Sequence, residues 1–297
     1  CYVGGKRIAG MVKPFSHGYA RALANIADVV IGPSEKVSAY FKKCKVKKEV
    51  VIVPNAMEIN LFDRANVDAD KIRAIRDGLD FAPTDFVLGF CGRLGSEKNI
   101  DTLLKFISKT IRPDDGVKFM IIGGGPLAEE LPLLAHKLAL SNIVKFAGRI
   151  EHPDVPPYFA ACDAYITASL SEIHSISTLE AQAMGLPVVQ IREKIDIGQV
   201  VDGENGYFFG NAQEMRDKII LLKSLPKIRY EELRQNVRQS IMHLSPSALA
   251  ERVETIYEGA IGNYKRSGSI TDKHSLCFPM RFIVTARCGH RALHDTL

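Results

Sequence analysis

Short apolar runs alternating with amphipathic stretches dominate the middle of the chain. Phe86-Val87-Leu88-Gly89-Phe90, Val117 to Ile122, Ile143 to Phe146, Ala164 to Ala168 and Pro187 to Ile191 each read as a buried strand closed by turn residues. Between them lie helical patterns. Leu103, Leu104 and Ile107 share one face of a helix that Asn99 is placed to cap. Pro126 suits the first position of a helix reaching about Leu140, Tyr158 to Ala161 is part of another, and Ser175 to Met184 is a third, ended by Gly185. Upstream, 16–27 is helical, Val29 to Ile31 and Val50 to Val53 are short strands, and Ser34 is placed to cap a helix over Glu35 to Phe41. Downstream, 211–223, 229–242 and a segment from Ser245-Pro246 to about Ala260 read as helices. Strands alternating with helices predict an α/β fold with a doubly wound, Rossmann-like parallel sheet, whose ligands sit beyond the carboxyl ends of the strands.

Composition adds little to that picture and removes several classes. The 297 residues are 46% apolar and 25% charged, an ordinary globular balance. No apolar run approaches the roughly 18 residues of a membrane-spanning helix, and CYVGGKRIAG is not a signal peptide. The opening Cys1 leads us to expect a start further upstream. Of the net charge of +5, 263–297 carries +4, so the basic footprint lies in an end segment and nucleic acid is not the expected partner. That tail is expected to be disordered. Cys1, Cys44, Cys91, Cys162, Cys277 and Cys288 lack framework spacing and read as reduced thiols of a cytoplasmic protein. His274, Cys277, Cys288 and His290 lack zinc-finger spacing, so no metal is expected.

The candidate chemistry falls at strand ends. Glu172 and Glu180 are eight apart, too far around one continuous helix to serve a single small ligand atom. The spacing makes sense if Glu172 lies in a loop and Glu180 on the helix after it. Ser175, Ile176 and Ser177 then form a first helical turn whose free N–H groups suit a diphosphate. Gly92, Arg93 and Lys98 follow the first strand of the sheet and offer close backbone approach, a planar fork and a point charge. Gly123-Gly124-Gly125 with Ala128 matches G-x-G-x-x-A, yet no acid stands where a dinucleotide ribose would need one.

Four segments in order resemble glycosyltransferase family 4, the retaining enzymes of the two-domain GT-B architecture: VIVPNAMEINLF (51–62), GRLGSEKNIDTLL (92–104), the stretch Glu172 to Val189, and VVDGENGYFF (200–209). The similarity runs over about 20–260, and its glycolipid members, such as diacylglycerol glucosyltransferases, are most alike. The resemblance implies roles. Arg93 and Lys98 would hold the donor diphosphate, Glu172 the donor sugar and Glu180 the ribose. Ser175 to Ser177 would cradle phosphate, His174 would touch the donor, and Gly124 with Arg149-Ile150 would lie near the nucleoside. It also implies a nucleotide-sugar donor (UDP-linked), no cofactor or metal, and a lipid or glycan acceptor held by an N-terminal domain. Only a remnant of that domain would be present, in 1–56, followed by a complete donor domain over 57–262 and the tail 263–297. Peripheral association with the inner face of a membrane would follow from a lipid acceptor. His174, Ser175, Ala56 and Asn99 depart from the family pattern, and His17 does not match the family's acceptor-domain histidine. An inactive nucleotide-sugar-binding module and a nicotinamide-dependent oxidoreductase are the alternatives.

Overall fold

The computed structural model describes residues 6–195, 197–266 and 284–285. They form two compact units. One holds the described residues up to Ala56, Ile195, Ile197 and those from Leu244 onward; the other is Met57–Lys194 with Gly198–His243.

In the first unit, α1 (Lys6–Ile26) leads into β1 (Val30–Gly32), α2 (Glu35–Lys43) and β2 (Val50–Ile52). β1 pairs in parallel with β2 on one side and with Val284–Thr285 on the other. Ser34 precedes α2, but its hydroxyl is buried and makes no capping bond, contrary to the expected N-cap.

The second unit carries the predicted sheet. Its elements are α3 (Ala69–Gly78), β3 (Phe86–Cys91), α4 (Ile100–Thr110), β4 (Val117–Ile122), α5 (Glu130–Lys137) and β5 (Val144–Gly148). Then come α6 (Pro156–Ala160), β6 (Ala164–Thr167), α7 (Ile176–Ala183), β7 (Val188–Ile191), β8 (Gly206–Phe209), α8 (Ala212–Lys223) and α9 (Lys227–Ile241). All pairings are parallel, in the order β5-β4-β3-β6-β7-β8. The chain winds outward one way from β3 and then the other way from β6, so a crevice opens between the carboxyl ends of those two strands. The predicted doubly wound α/β class is what the chain adopts.

One apolar cluster joins the sheet to the helices: Leu88, Phe119, Ile121 and Ile166 meet Leu103, Leu104 and Ile107 of α4 and Met215 and Ile219 of α8. α7 packs on α9. Strands buried on both faces need continuous rather than alternating apolar residues, as FVLGFC and VKFMII show.

Several boundaries differ from expectation. The last helix, α10 (Pro246–Arg266), runs past Ala260 and groups with the first unit, not with the expected 57–262 domain. α5 starts at Glu130 rather than Pro126, because the amides of Leu127 and Ala128 are used by Leu94 and Gly125 carbonyls in a turn. Asn99 precedes α4 in the left-handed region (φ 54°) and makes no cap bond. Its side chain instead donates to the Ala168 carbonyl at 3.1 Å and accepts from Thr102. Most of the 263–297 tail and the four residues considered for zinc lie outside the described residues.

Candidate functional site

Three loops leave the carboxyl ends of β3, β4 and β5 and are laced together by backbone bonds. Gly92 donates to Ile122, Leu94 to Gly124 (2.9 Å), Gly123 to Gly148 (2.7 Å) and Leu127 to Leu94. This lacing, not ligand approach alone, requires glycine. A Cβ on Gly123 (φ 140°) would run into the Gly92 carbonyl oxygen, and one on Gly125 (φ 156°) would lie 2.7 Å from that of Leu94. The loops enclose a cleft of about 450 Å³ lined by Cys91, Gly92, Arg93, Gly124, Arg149 and Ile150 among others. Five predicted donor-site residues thus share one cleft.

The second half of the site comes from the loop between β6 and α7. Lys98 and Glu172 form an ion pair, each side chain about one-seventh exposed (14% and 13%). Hydroxyls of Ser169 and Ser171 bond to the Glu97 carbonyl, and Asn99 holds Ala168, so the β3 and β6 loops are tied across the crevice. Arg93 is half exposed and meets the Glu97 carboxylate at 3.3 Å. A planar fork and a point charge therefore stand at one crevice, each already turned by a carboxylate.

α7 begins where expected, with Ser175 as N-cap: its hydroxyl accepts from the Thr178 amide at 3.3 Å. The Ser175 amide is not available to a ligand, however. It donates to Gln199 Oε1 at 2.7 Å, and Gln199 Nε2 donates back to the Ser175 carbonyl at 2.8 Å. Of the three residues expected to cradle phosphate, Ser175 therefore has its amide already used within the chain. The Ser177 hydroxyl lies 3.0 Å from that of buried Tyr165 and 3.2 Å from that of Ser175. His174 is largely buried, and burial pushes its imidazole down to about 4, so it is neutral near pH 7.

Glu180 lies on α7 with its side chain 7% exposed. Burial raises its carboxyl above the usual range, and His152, 2.8 Å from Oε1, pulls it back. Burial, with the Glu180 charge adding to it, pushes the Cys91 thiol up to about 12. His152 and Gln199 are the two residues that sequence reasoning missed. The only signal for His152 was its place just after Arg149-Ile150; for Gln199 it was the adjacent VVDGENG segment.

Similarity to known proteins decides the family. Residues 71–240 match the family described as "Glycosyl transferases group 1". The chain belongs to that family. Among relatives, the alpha-monoglucosyldiacylglycerol synthase of Acholeplasma laidlawii is 25% identical over 229 residues, covering 77% of this chain and 57% of that protein. The synthase of the same name from Streptococcus pneumoniae is 30% identical over 180 residues, 60% of this chain and 41% of that protein. The chain thus spans about half the length of these group 1 relatives. Among solved structures, Anabaena Alr3699/HepE in complex with UDP and glucose superposes with a TM-score of 0.72 at 23% identity, covering 83% of this chain and 67% of that one. The shared fold is that of the GT-B glycosyltransferases. Among the described residues no three His, Cys, Asp or Glu are grouped to hold a metal ion, and no helix is long and apolar enough to cross a membrane.

Proposed function

We propose that this chain is the donor-binding half of a retaining hexosyltransferase. It takes a UDP-linked hexose, with glucose favoured, and serves transfer to a lipid or saccharide acceptor. The observation that carries the reading is the convergence at the β3–β6 crevice of Lys98 with Glu172, the first turn of α7, and Glu180 beside the cleft of Gly92 and Arg149. A diphosphate would lie between Lys98, Arg93 and the Ile176 and Ser177 amides, where positive charge and oriented N–H groups meet. The ribose would reach Glu180, the base would enter the cleft near Gly124 and Ile150, and the hexose would face Glu172 and His174.

The chemistry follows from charge. Breaking the anomeric bond leaves negative charge on the departing diphosphate, and cations already in place stabilise it without reorganising. The relatives support the ligand classes: UDP and glucose are bound in the Anabaena protein, and the two synthases are named for a glucosyldiacylglycerol. Acceptor recognition is assigned to the portion of those relatives that this chain does not span. With a lipid acceptor, the working position would be peripheral, on the cytoplasmic face of a membrane.

Titration calorimetry of the 297-residue chain with UDP, UDP-glucose and NADH tests the reading. UDP and UDP-glucose should bind and NADH should not. Glu180→Ala should weaken UDP by about 1.5–3 kcal/mol through lost hydrogen bonds to a charged acceptor. Binding of NADH without UDP, or a Glu180→Ala variant with unchanged UDP affinity, would overturn it.

A further inference from the structure

We infer that His152 is a positioning residue for the donor ribose, holding the Glu180 carboxylate ionised and turned toward the ribose hydroxyls; the inference rests on the ribose assignment above. Glu180 is almost wholly buried, and burial favours its neutral form. A protonated carboxyl would offer a vicinal diol fewer acceptor sites than the ionised form does. The contact that opposes protonation is His152 Nε2 to Oε1 at 2.8 Å. A carboxylate has no proton to give, so Nε2 must be the donor. His152 occupies only Oε1 and leaves the other oxygen for the ligand.

The imidazole is held although its side chain is 61% exposed. Its ring lies 5.5 Å from that of Phe62, which is buried. Its backbone opens a short 3-10 turn (His152–Asp154) with Pro153 inside it, closed by Asp154 N–H to the Glu151 carbonyl at 2.9 Å. That turn directly follows Arg149-Ile150 of the cleft, so one loop would set both base and ribose contacts. The other titratable group that senses Glu180 is Cys91 at the end of β3, and its thiol stays neutral at about 12. The two influences that set the Glu180 carboxyl are burial and the His152 contact.

The test is calorimetry of the full chain and its H152A, H152Q and E180Q variants with UDP and with 2′,3′-dideoxyuridine diphosphate, from about pH 5 to pH 8. The unmodified chain should prefer UDP, and its UDP affinity should fall in acid as Glu180 protonates. H152A should lose roughly 3- to 10-fold in UDP affinity near pH 7, the scale of one hydrogen bond, with the dideoxy ligand unaffected. Its acid limb should move to higher pH, since the contact that lowers the Glu180 pKa is gone. H152Q, whose amide can still donate, should recover most of the loss, and E180Q should show no acid limb from this group. If H152A does not fold, H152F keeps a ring against Phe62 without the donor and carries the same comparison. An unchanged UDP-to-dideoxy ratio together with an unmoved acid limb would overturn the role of His152. Failure of the unmodified chain to bind UDP at all would instead overturn the nucleotide reading.

Discussion

Replacing Lys98 with Met separates a phosphate ligand from a structural ion pair. In the folded chain the Lys98 ammonium sits on the Glu172 carboxylate with both side chains about one-seventh exposed. Removing one partner of a fully buried pair costs about 3–5 kcal/mol. The residual exposure here lets water reach the remaining carboxylate, so about 1–3 kcal/mol of stability should be lost. The ligand contribution is distinct. A charge-assisted contact to the diphosphate contributes about 1.5–3 kcal/mol, so K98M should weaken UDP by roughly 10- to 150-fold. Uridine has no phosphate and should bind K98M as it binds the original. The double variant K98M/E172Q should regain much of the stability, because no charge is left buried, but none of the UDP affinity. Urea denaturation reads the first quantity and calorimetry the second. Equal losses for uridine and UDP in K98M, or UDP affinity returning in the double variant, would refute the reasoning: Lys98 would then serve only to hold Glu172.

Other expectations follow from the same geometry. Asp115 takes a two-pronged contact from Arg216 (2.6 and 3.0 Å) that holds its carboxyl below the usual range. Its stabilising effect is therefore present above the unfolded pKa and is lost as pH falls through the lower folded value. D115N should cost about 1–2 kcal/mol at pH 7, and the gap in melting temperature should begin to narrow below about pH 4 and shrink as pH falls through the lower folded value; a gap that does not change with pH would contradict this. Gly123→Ala should destabilise by at least about 2 kcal/mol, because it adds both a disfavoured φ and a backbone clash with Gly92, and urea midpoints check it. At about 12, Cys91 should carry roughly a thousandfold less thiolate at pH 8 than a thiol at the ordinary value of 9.0, so iodoacetamide should label it correspondingly slowly. Labelling at the rate of a free thiol would show that the β3 end is open to water.

β3 and β4 were legible because burial on both faces writes them as nearly continuous apolar runs followed by glycine. α3 was not, for a physical reason. Its sequence ADKIRAIRDG buries no residue fully, and its apolar face is short, resting on the half-buried Ile72 and Ile75. It is held by Asp68 accepting from the Asp70 amide and by Arg76 reaching the carbonyls of Ala161 and Asp85. β8 was hidden inside VVDGENGYFF, a segment read only for its resemblance to the family. Four residues, Gly206 to Phe209, become a strand only by pairing with β7. The helix expected from Pro126 failed because Leu127 bonds to a loop distant in sequence, which local capping rules do not see.

The candidate site divides the same way. Arg93, Lys98, Glu172 and Glu180 could be placed from sequence because each follows a strand by a short, countable distance. The condition of the first turn of α7 could not. Gln199, 24 positions after Ser175, occupies that residue's amide from a loop with no local link to α7. The turn also carries the Ser177 hydroxyl, joined to buried Tyr165 and to Ser175. Tyr165 enters from β6, and burial pushes its phenol up, so it remains a proton donor at every working pH. A hydroxyl chain rooted in the sheet core thus supports the turn where the diphosphate is proposed to lie. The side chain of Ser175, a departure from the family pattern, is accommodated because its hydroxyl caps Thr178 and Gln199 takes the amide. The departure could be read from the motif, but its compensation by Gln199, which comes from a different loop, could not.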